Sequence, residues 1–216
     1  MRRHRIRGLG ILGVAVATAA LAGCATMSKE ACLQGDWAGV GFKDGEAGRP
    51  QSRLDEHAKA CAKTGVVPQA APYFAARDQG LKLYCTQDRG FSEGRFGNAY
   101  AGVCPQGPER GFLVGYADGQ LVHAAVSRLS QAESDRSSAD ARAEKRDREA
   151  RGVEDELKNP KLNEEQTREL RDRLNRLRSE RRQAVEDGRR AEWAARDAER
   201  EVDDLRHRFG PRYGGW

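Results

Sequence analysis

The hydrophobic positions of this chain change their spacing along its length. Gly8 to Ala22 is a continuous apolar run behind Arg2, Arg3, Arg5 and Arg7. From Cys24 to Gly119 apolar and aromatic residues alternate with glycines over short distances, a pattern of short helices and tight turns. From Gln120 onward the spacing settles into alternating fours and threes. Ala125, Leu129, Ala132, Arg136, Ala139, Ala143, Arg146, Ala150, Val153 and Leu157 form one such seam. Leu170, Leu174, Leu177, Arg181, Ala184, Gly188, Ala191, Ala195, Ala198, Val202, Leu205 and Phe209 form another. Heptads sustained this long predict two long helices that pair with each other.

Between the seams, Pro160 cannot continue the first helix, and Asn163 with Gln166 reads as a capping box opening the second. The result is an antiparallel hairpin turning near residues 158–163. Folding about residue 160 or 161 sets Ala150 near Leu170, Ala143 near Leu177 and Ala132 near Gly188, so small residues face large ones. Gly210-Pro211 predicts the end of the second helix, leaving 210–216 as a flexible tail. The expected fold class is all-α: a small disulfide-stapled helical head over residues 24–119, then a long antiparallel coiled-coil hairpin over 120–209.

Composition sharpens the division. Residues 24–119 hold 15 of the 24 glycines and 10 of the 14 aromatics, so a compact core belongs there. Residues 120–209 carry 22 basic and 22 acidic side chains, which makes the helix flanks solvated surfaces. Pairs such as Glu144/Arg148, Glu169/Arg173, Asp172/Arg176 and Glu192/Arg196 each add a few tenths of a kcal/mol, on the order of 0.3. Equal acid content leaves no basic stripe, so nucleic acid is not an expected partner.

Leu21-Ala22-Gly23-Cys24 behind the apolar run resembles the lipobox of bacterial lipoprotein precursors. The basic start and short apolar run have the proportions of a signal peptide over residues 1–23, too short to span a bilayer comfortably. The resemblance implies cleavage before Cys24, a thioether diacylglycerol on its sulfur and an amide-linked fatty acyl chain on its nitrogen. Three hydrocarbon chains exceed the two signals that stable anchoring needs. Ala25 stands where an aspartate would imply retention in the inner membrane. The expected location is therefore the outer membrane, lipid-anchored on the periplasmic face. Losing the four leader arginines leaves 34 basic residues against 33 acidic ones, so the formal charge of +5 is a poor guide to partners.

Cys32, Cys61, Cys85 and Cys104 remain, all in the head, and an oxidising periplasm predicts two disulfides. Four cysteines allow three connectivities. Short loop closure favours Cys32–Cys61 with Cys85–Cys104, each stabilising by roughly 3 kcal/mol in the chain-entropy account.

A small residue, a large one and an acid or amide before glycine recur in Gly41-Phe42-Lys43-Asp44-Gly45, Ala76-Arg77-Asp78-Gln79-Gly80 and Gly115-Tyr116-Ala117-Asp118-Gly119. Short helices packed through the small residue and ended by the glycine would produce this pattern. The order Asp36-Trp37, Gly41, Asp44-Gly45, Gly48, His57, Ala60-Cys61, Tyr73, Gly80-Leu81, Tyr84-Cys85, Gly94, Gly97, Tyr100, Val103-Cys104-Pro105 resembles a family of proteobacterial lipoproteins, the domain of unknown function 2799. The resemblance spans about residues 24–120. Ala76 stands where a family glycine is expected. The family has no assigned activity, so the resemblance implies an architecture and no mechanism.

Recognised catalytic and nucleotide-binding motifs do not occur. His57 and Cys61 share a helical face at i,i+4, a spacing that could supply two zinc ligands, but paired oxidised cysteines make a disulfide the better reading. No metal, cofactor or catalytic residue is therefore assigned. Asp44, Asp55 and Glu56 could form an acid/base cluster with His57, although helix caps and surface charge explain them equally well. The expectation is a non-enzymatic envelope component whose hairpin docks another protein, with homo-oligomerisation through the hairpin as a further possibility. The rival is a periplasmic hydrolase, or an inhibitor of one, with a head cleft around Trp37, Asp44, His57 and Arg77.

Overall fold

The computed structural model describes residues 26–216, so the leader and Cys24 lie outside the described residues. Among these residues the chain is all-helical: α1 (Lys29–Gln34), α2 (Trp37–Glu46), α3 (Arg53–Cys61), a 3-10 turn (Ala62–Thr64), α4 (Ala70–Tyr84), α5 (Gln87–Arg95), α6 (Gln106–Glu156) and α7 (Glu164–Tyr213). Local chemistry sets several starts. Asp36 accepts from the Gly39 N–H at 2.8 Å to open α2, and Thr86 accepts from Arg89 to open α5. Asn163 and Gln166 cap each other's backbone at 2.8 and 3.1 Å, the box expected at the start of α7.

The head consists of two units with the same helix contact. In the first, α2 lies so close to α4 that a Cβ on Gly41 would sit 2.1 Å from the Tyr73 carbonyl oxygen, and one on Gly45 2.1 Å from that of Arg77. In the second, α5 meets α6 the same way, with Gly90 against the Phe112 carbonyl and Gly94 against that of Tyr116. The reciprocal glycines also correspond. Gly80 meets the Phe42 carbonyl, and Gly119 meets that of Phe91. Gly48 and Gly97 follow α2 and α5 with φ of +63° and +73°, a conformation that glycine adopts without strain.

Each unit has one disulfide between the segments that precede its two packed helices: Cys32–Cys61 in the first and Cys85–Cys104 in the second. This is the pairing that short loop closure favours. Tyr84 stacks on Phe112 at 5.0 Å and joins the two units.

Three features differ from the sequence expectations. The glycines at 45, 80 and 119 are contact points within helices rather than stops, because their backbones are pressed against another helix. Gly119 consequently marks no structural break. α6 runs from the second unit through residue 119 to Glu156. The head/hairpin boundary drawn at 119/120 lies inside a single helix.

The hairpin register is one heptad from the expected one. Ala139 lies 3.6 Å from the position a Gly188 Cβ would occupy, and Ala150, Val153, Leu174 and Leu177 share one core cluster with Leu157 and Leu170 at its edge. Arg128–Glu201, Arg142–Asp187 and Arg181–Asp147 cross between the helices at 2.6, 3.3 and 3.0 Å in that same register. Ala143 is thus not opposite Leu177. The first turns of α7 therefore run past the end of α6, and Leu157 and Leu170 both border the cluster at the tip end of the hairpin.

The third difference is at the C-terminus, where α7 continues through Pro211 to Tyr213. Residues 210–216 are not a free tail, because Phe91 packs against Phe209, Tyr213 and Trp216. That aromatic contact supports the last turn despite the backbone hydrogen bond that proline cannot donate.

Candidate functional site

The first unit contains a chain of polar groups that its packing alone does not require. His57 is 2% exposed on α3. Its Nε2 lies 2.7 Å from Asp44 Oδ2 and its Nδ1 2.9 Å from the Thr26 hydroxyl, so both ring nitrogens have a hydrogen-bond partner. The buried Tyr73 hydroxyl donates to the same Asp44 oxygen at 2.7 Å. Burial, followed by the hydrogen bond to Asp44, holds the Tyr73 phenol well above its ordinary pKa.

Equivalent positions of the second unit lack this network. Phe112 replaces Tyr73, and Glu93 replaces Asp44, bound instead by Arg89 at 2.8 Å and Asn98 at 2.8 Å. Since the helix contact survives without it, the Thr26–His57–Asp44–Tyr73 chain is an addition to the unit rather than a condition of its packing.

Of the four residues expected around a cleft, Asp44 and His57 meet and the other two are structural. Trp37 is buried in the core with Cys32, Leu54, Cys61 and Tyr73. Arg77 is 2% exposed and donates from Nε and Nη2 to the Arg49 carbonyl at 3.2 and 2.5 Å. In the second unit the Tyr116 hydroxyl donates to the Asn98 carbonyl at 2.7 Å from the corresponding place. The turn after the first helix therefore needs a donor rather than a cation. Glu56 pairs with Arg53, and Asp55 is exposed, so neither extends the cluster. Cys61 is committed to its disulfide and offers no thiolate beside His57.

Thr26, His57 and Asp44 are ordered as a hydroxyl, a base and an orienting acid, the sequence of roles that activates a nucleophile. Acyl chemistry would also need oxyanion donors around a space for the substrate. Several cavities open elsewhere among the described residues. One of about 420 Å³ opens between the units at Gly48, Arg49, Tyr84, Arg89, Glu93 and Asn98. Two larger ones flank the hairpin, including one of about 840 Å³ between Leu129, Arg136, Ala195 and the acids Glu133, Glu144 and Glu199. The hairpin also exposes Trp193, with Arg196 over its ring at 5.5 Å. Lys158, Asn159, Pro160 and Lys161 are exposed at the tip.

Two elements of the site escaped sequence reading. Gly90-Phe91-Ser92-Glu93-Gly94 matches Gly41-Phe42-Lys43-Asp44-Gly45 at three of five positions, with Glu93 for Asp44 at a fourth, and aligning those pentapeptides would have exposed the duplication. Thr26 as a partner of His57 has no such signal, because it depends on how the chain before α1 folds back.

The described residues thus form an all-helical structure with a duplicated, glycine-packed head and a helical hairpin grown from its second unit. Residues 36–121, most of the head, match the model of a family described as a protein of unknown function (DUF2799). The match begins at the cap of α2 and ends two residues after Gly119, so it takes in the packed helices of both units and leaves out most of the hairpin. No curated protein and no solved structure matches the chain.

Proposed function

We propose that this protein is a lipid-anchored component of the outer membrane on its periplasmic face, and that it acts by position rather than by catalysis. The hairpin holds a docking tip at a fixed reach from the anchored head, and the partner is another protein of the envelope. The observation that carries this reading is the continuity of α6, which enters the head as one packed helix and leaves it as one side of the arm. α7 returns to the head and closes on α5 through Tyr213, so the arm has two attachments and no linker. At about 1.5 Å per residue, α6 alone is roughly 75 Å long.

A photoreactive residue in place of Asn159, in intact cells, tests the reading. The expected product is a discrete crosslink to one envelope protein that disappears in the Cys24→Ser variant. Crosslinks from head positions alone would contradict a docking tip.

The second reading, a hydrolase or hydrolase inhibitor acting through the head, is favoured by one observation, the alignment of Thr26, His57 and Asp44. Its test is loss of an envelope-hydrolase phenotype in Thr26→Val with the fold retained.

A further inference from the structure

We propose that the face of the first unit formed by α1, the 3-10 turn and the segment after it rests on a phospholipid surface, an inference that depends on the lipid anchor at Cys24. Thr26 is held to the buried His57 at 2.9 Å, and Met27 is buried in the first unit's core. A single residue, Ala25, separates Cys24 from this fixed point. The Cα atoms of residues 24 and 26 are at most about 7 Å apart. An anchor attached there leaves the head no tether on which to stand off from the bilayer.

The side chains around that point suit an interface. The Cys32–Cys61 disulfide, with Cα atoms 5.5 Å apart, joins α1 to the end of α3. Next to Cys32 in α1, Leu33 is 61% exposed, and in the segment after the 3-10 turn Val67 is 80% exposed, although their chain neighbours Cys32 and Val66 pack into the core. Lys29 and Lys63 are exposed on α1 and the 3-10 turn, and Lys59 is exposed on the last turn of α3 that leads into it. Apolar side chains among long-stemmed lysines are the composition of a surface that enters the headgroup layer, with ammonium groups at the level of anionic phosphates. Glu30 is the acid on α1, while Asp55 and Glu56 lie in the first turn of α3, away from its lysine-bearing end. Glu56 is already paired with Arg53.

Lysine footprinting with a water-soluble acylating reagent tests the assignment. The full-length protein, processed in cells, is placed in vesicles of phosphatidylethanolamine with a minority of phosphatidylglycerol. A form whose leader and Cys24 are replaced by the cleavable leader of a soluble protein serves as the reference. Lys29, Lys59 and Lys63 should label several-fold more slowly in the vesicles than in the soluble form, while Lys43, Lys82 and Lys161 keep the same rates. The double variant Leu33→Asp/Val67→Asp, altered only at exposed positions, should lose the protection while remaining anchored.

A lipid-modified chain whose lysines all label as in the soluble form would overturn the face and leave the anchor standing. Protection in native membranes but not in lipid vesicles would assign the face to a protein and also overturn the proposal. If mass measurement finds no lipid on Cys24, the anchor reading fails independently. The soluble form mixed with vesicles then decides the face, since protection there keeps it and uniform labelling removes it.

Discussion

Tyr213 lies flat on Phe91, with ring centroids 4.0 Å apart and planes within 6° of parallel. Its hydroxyl donates to Asp118 at 2.7 Å and accepts from the Gln87 side chain at 3.0 Å. The last turn of α7 is thereby fixed to both helices of the second unit, and the arm cannot swing on α6 without breaking these contacts. Tyr213→Ala should lower stability by about 2 kcal/mol, from the lost stacking and hydrogen bonds. Thermal unfolding of the variant measures this, and an unchanged midpoint would show that the arm is not held at its base.

The glycine contacts predict a sharp contrast among alanine substitutions. Gly41→Ala and Gly94→Ala place a methyl 2.1 and 2.2 Å from a carbonyl oxygen, far inside van der Waals contact, so each should cost more than about 3 kcal/mol or prevent folding. Gly111→Ala and Gly152→Ala meet nothing within 4 Å. Being helical, they should stabilise by up to about 1 kcal/mol. Urea titrations of the four variants provide the comparison.

The hairpin register predicts which engineered cysteines meet. Ala150 and Leu177 share a core cluster, so cysteines there should oxidise within one chain. Cysteines at Ala143 and Leu177, a heptad out of step, should not. Mass analysis of the oxidised monomers distinguishes the two registers.

Reduction should separate the head from the arm. Both disulfides lie before residue 105, closing loops over sequence separations of 29 and 19 residues. Each is worth roughly 3 kcal/mol in the chain-entropy account. Reductant should abolish near-ultraviolet aromatic dichroism from the head while most far-ultraviolet helical signal persists. Loss of both together would make the arm dependent on the head disulfides.

Alkaline titration probes the joint between the units. Burial, aided by the nearby Glu93 charge, pushes the Tyr84 phenol up to about 12, against 10.0 for the free group. A folded-state pKa above the unfolded one stabilises fully below pH 10 and loses that contribution as pH rises towards 12. Phenolate absorbance should therefore lag behind that of free tyrosine, and unfolding should begin above pH 10. Tyr84→Phe should shift that onset upward.

The long elements were legible in the sequence because they depend on local periodicity. The heptads give both hairpin helices, and Asn163 with Gln166 gives the start of α7. Register was less accessible: Ala143 and Ala150 are equally small, so either can face Leu177 on size alone, and the interhelical ion pairs of Arg128, Arg142 and Arg181 favour one alignment only when three-dimensional spacing is known. Glycine spacing revealed close packing, but a glycine pressed against a carbonyl and one that ends a helix look alike in sequence, hence the misplaced stop at Gly119. Residue types placed His57 among three candidate acids, Asp44, Asp55 and Glu56, without selecting Asp44 as the one it meets. Arg77 was not recognisable as a turn-closing donor, because its partner is the backbone carbonyl of Arg49, and backbone acceptors carry no residue signature.

The distance between spin labels at Val114 and Asp155, both exposed on α6, decides whether the arm is continuous with its head. Attachment through unnatural amino acids leaves the four disulfide cysteines untouched. At 1.5 Å per residue the unbroken helix predicts a single narrow distribution near 60 Å. A broad distribution extending to much shorter distances would reveal a hinge between head and arm and would contradict the account.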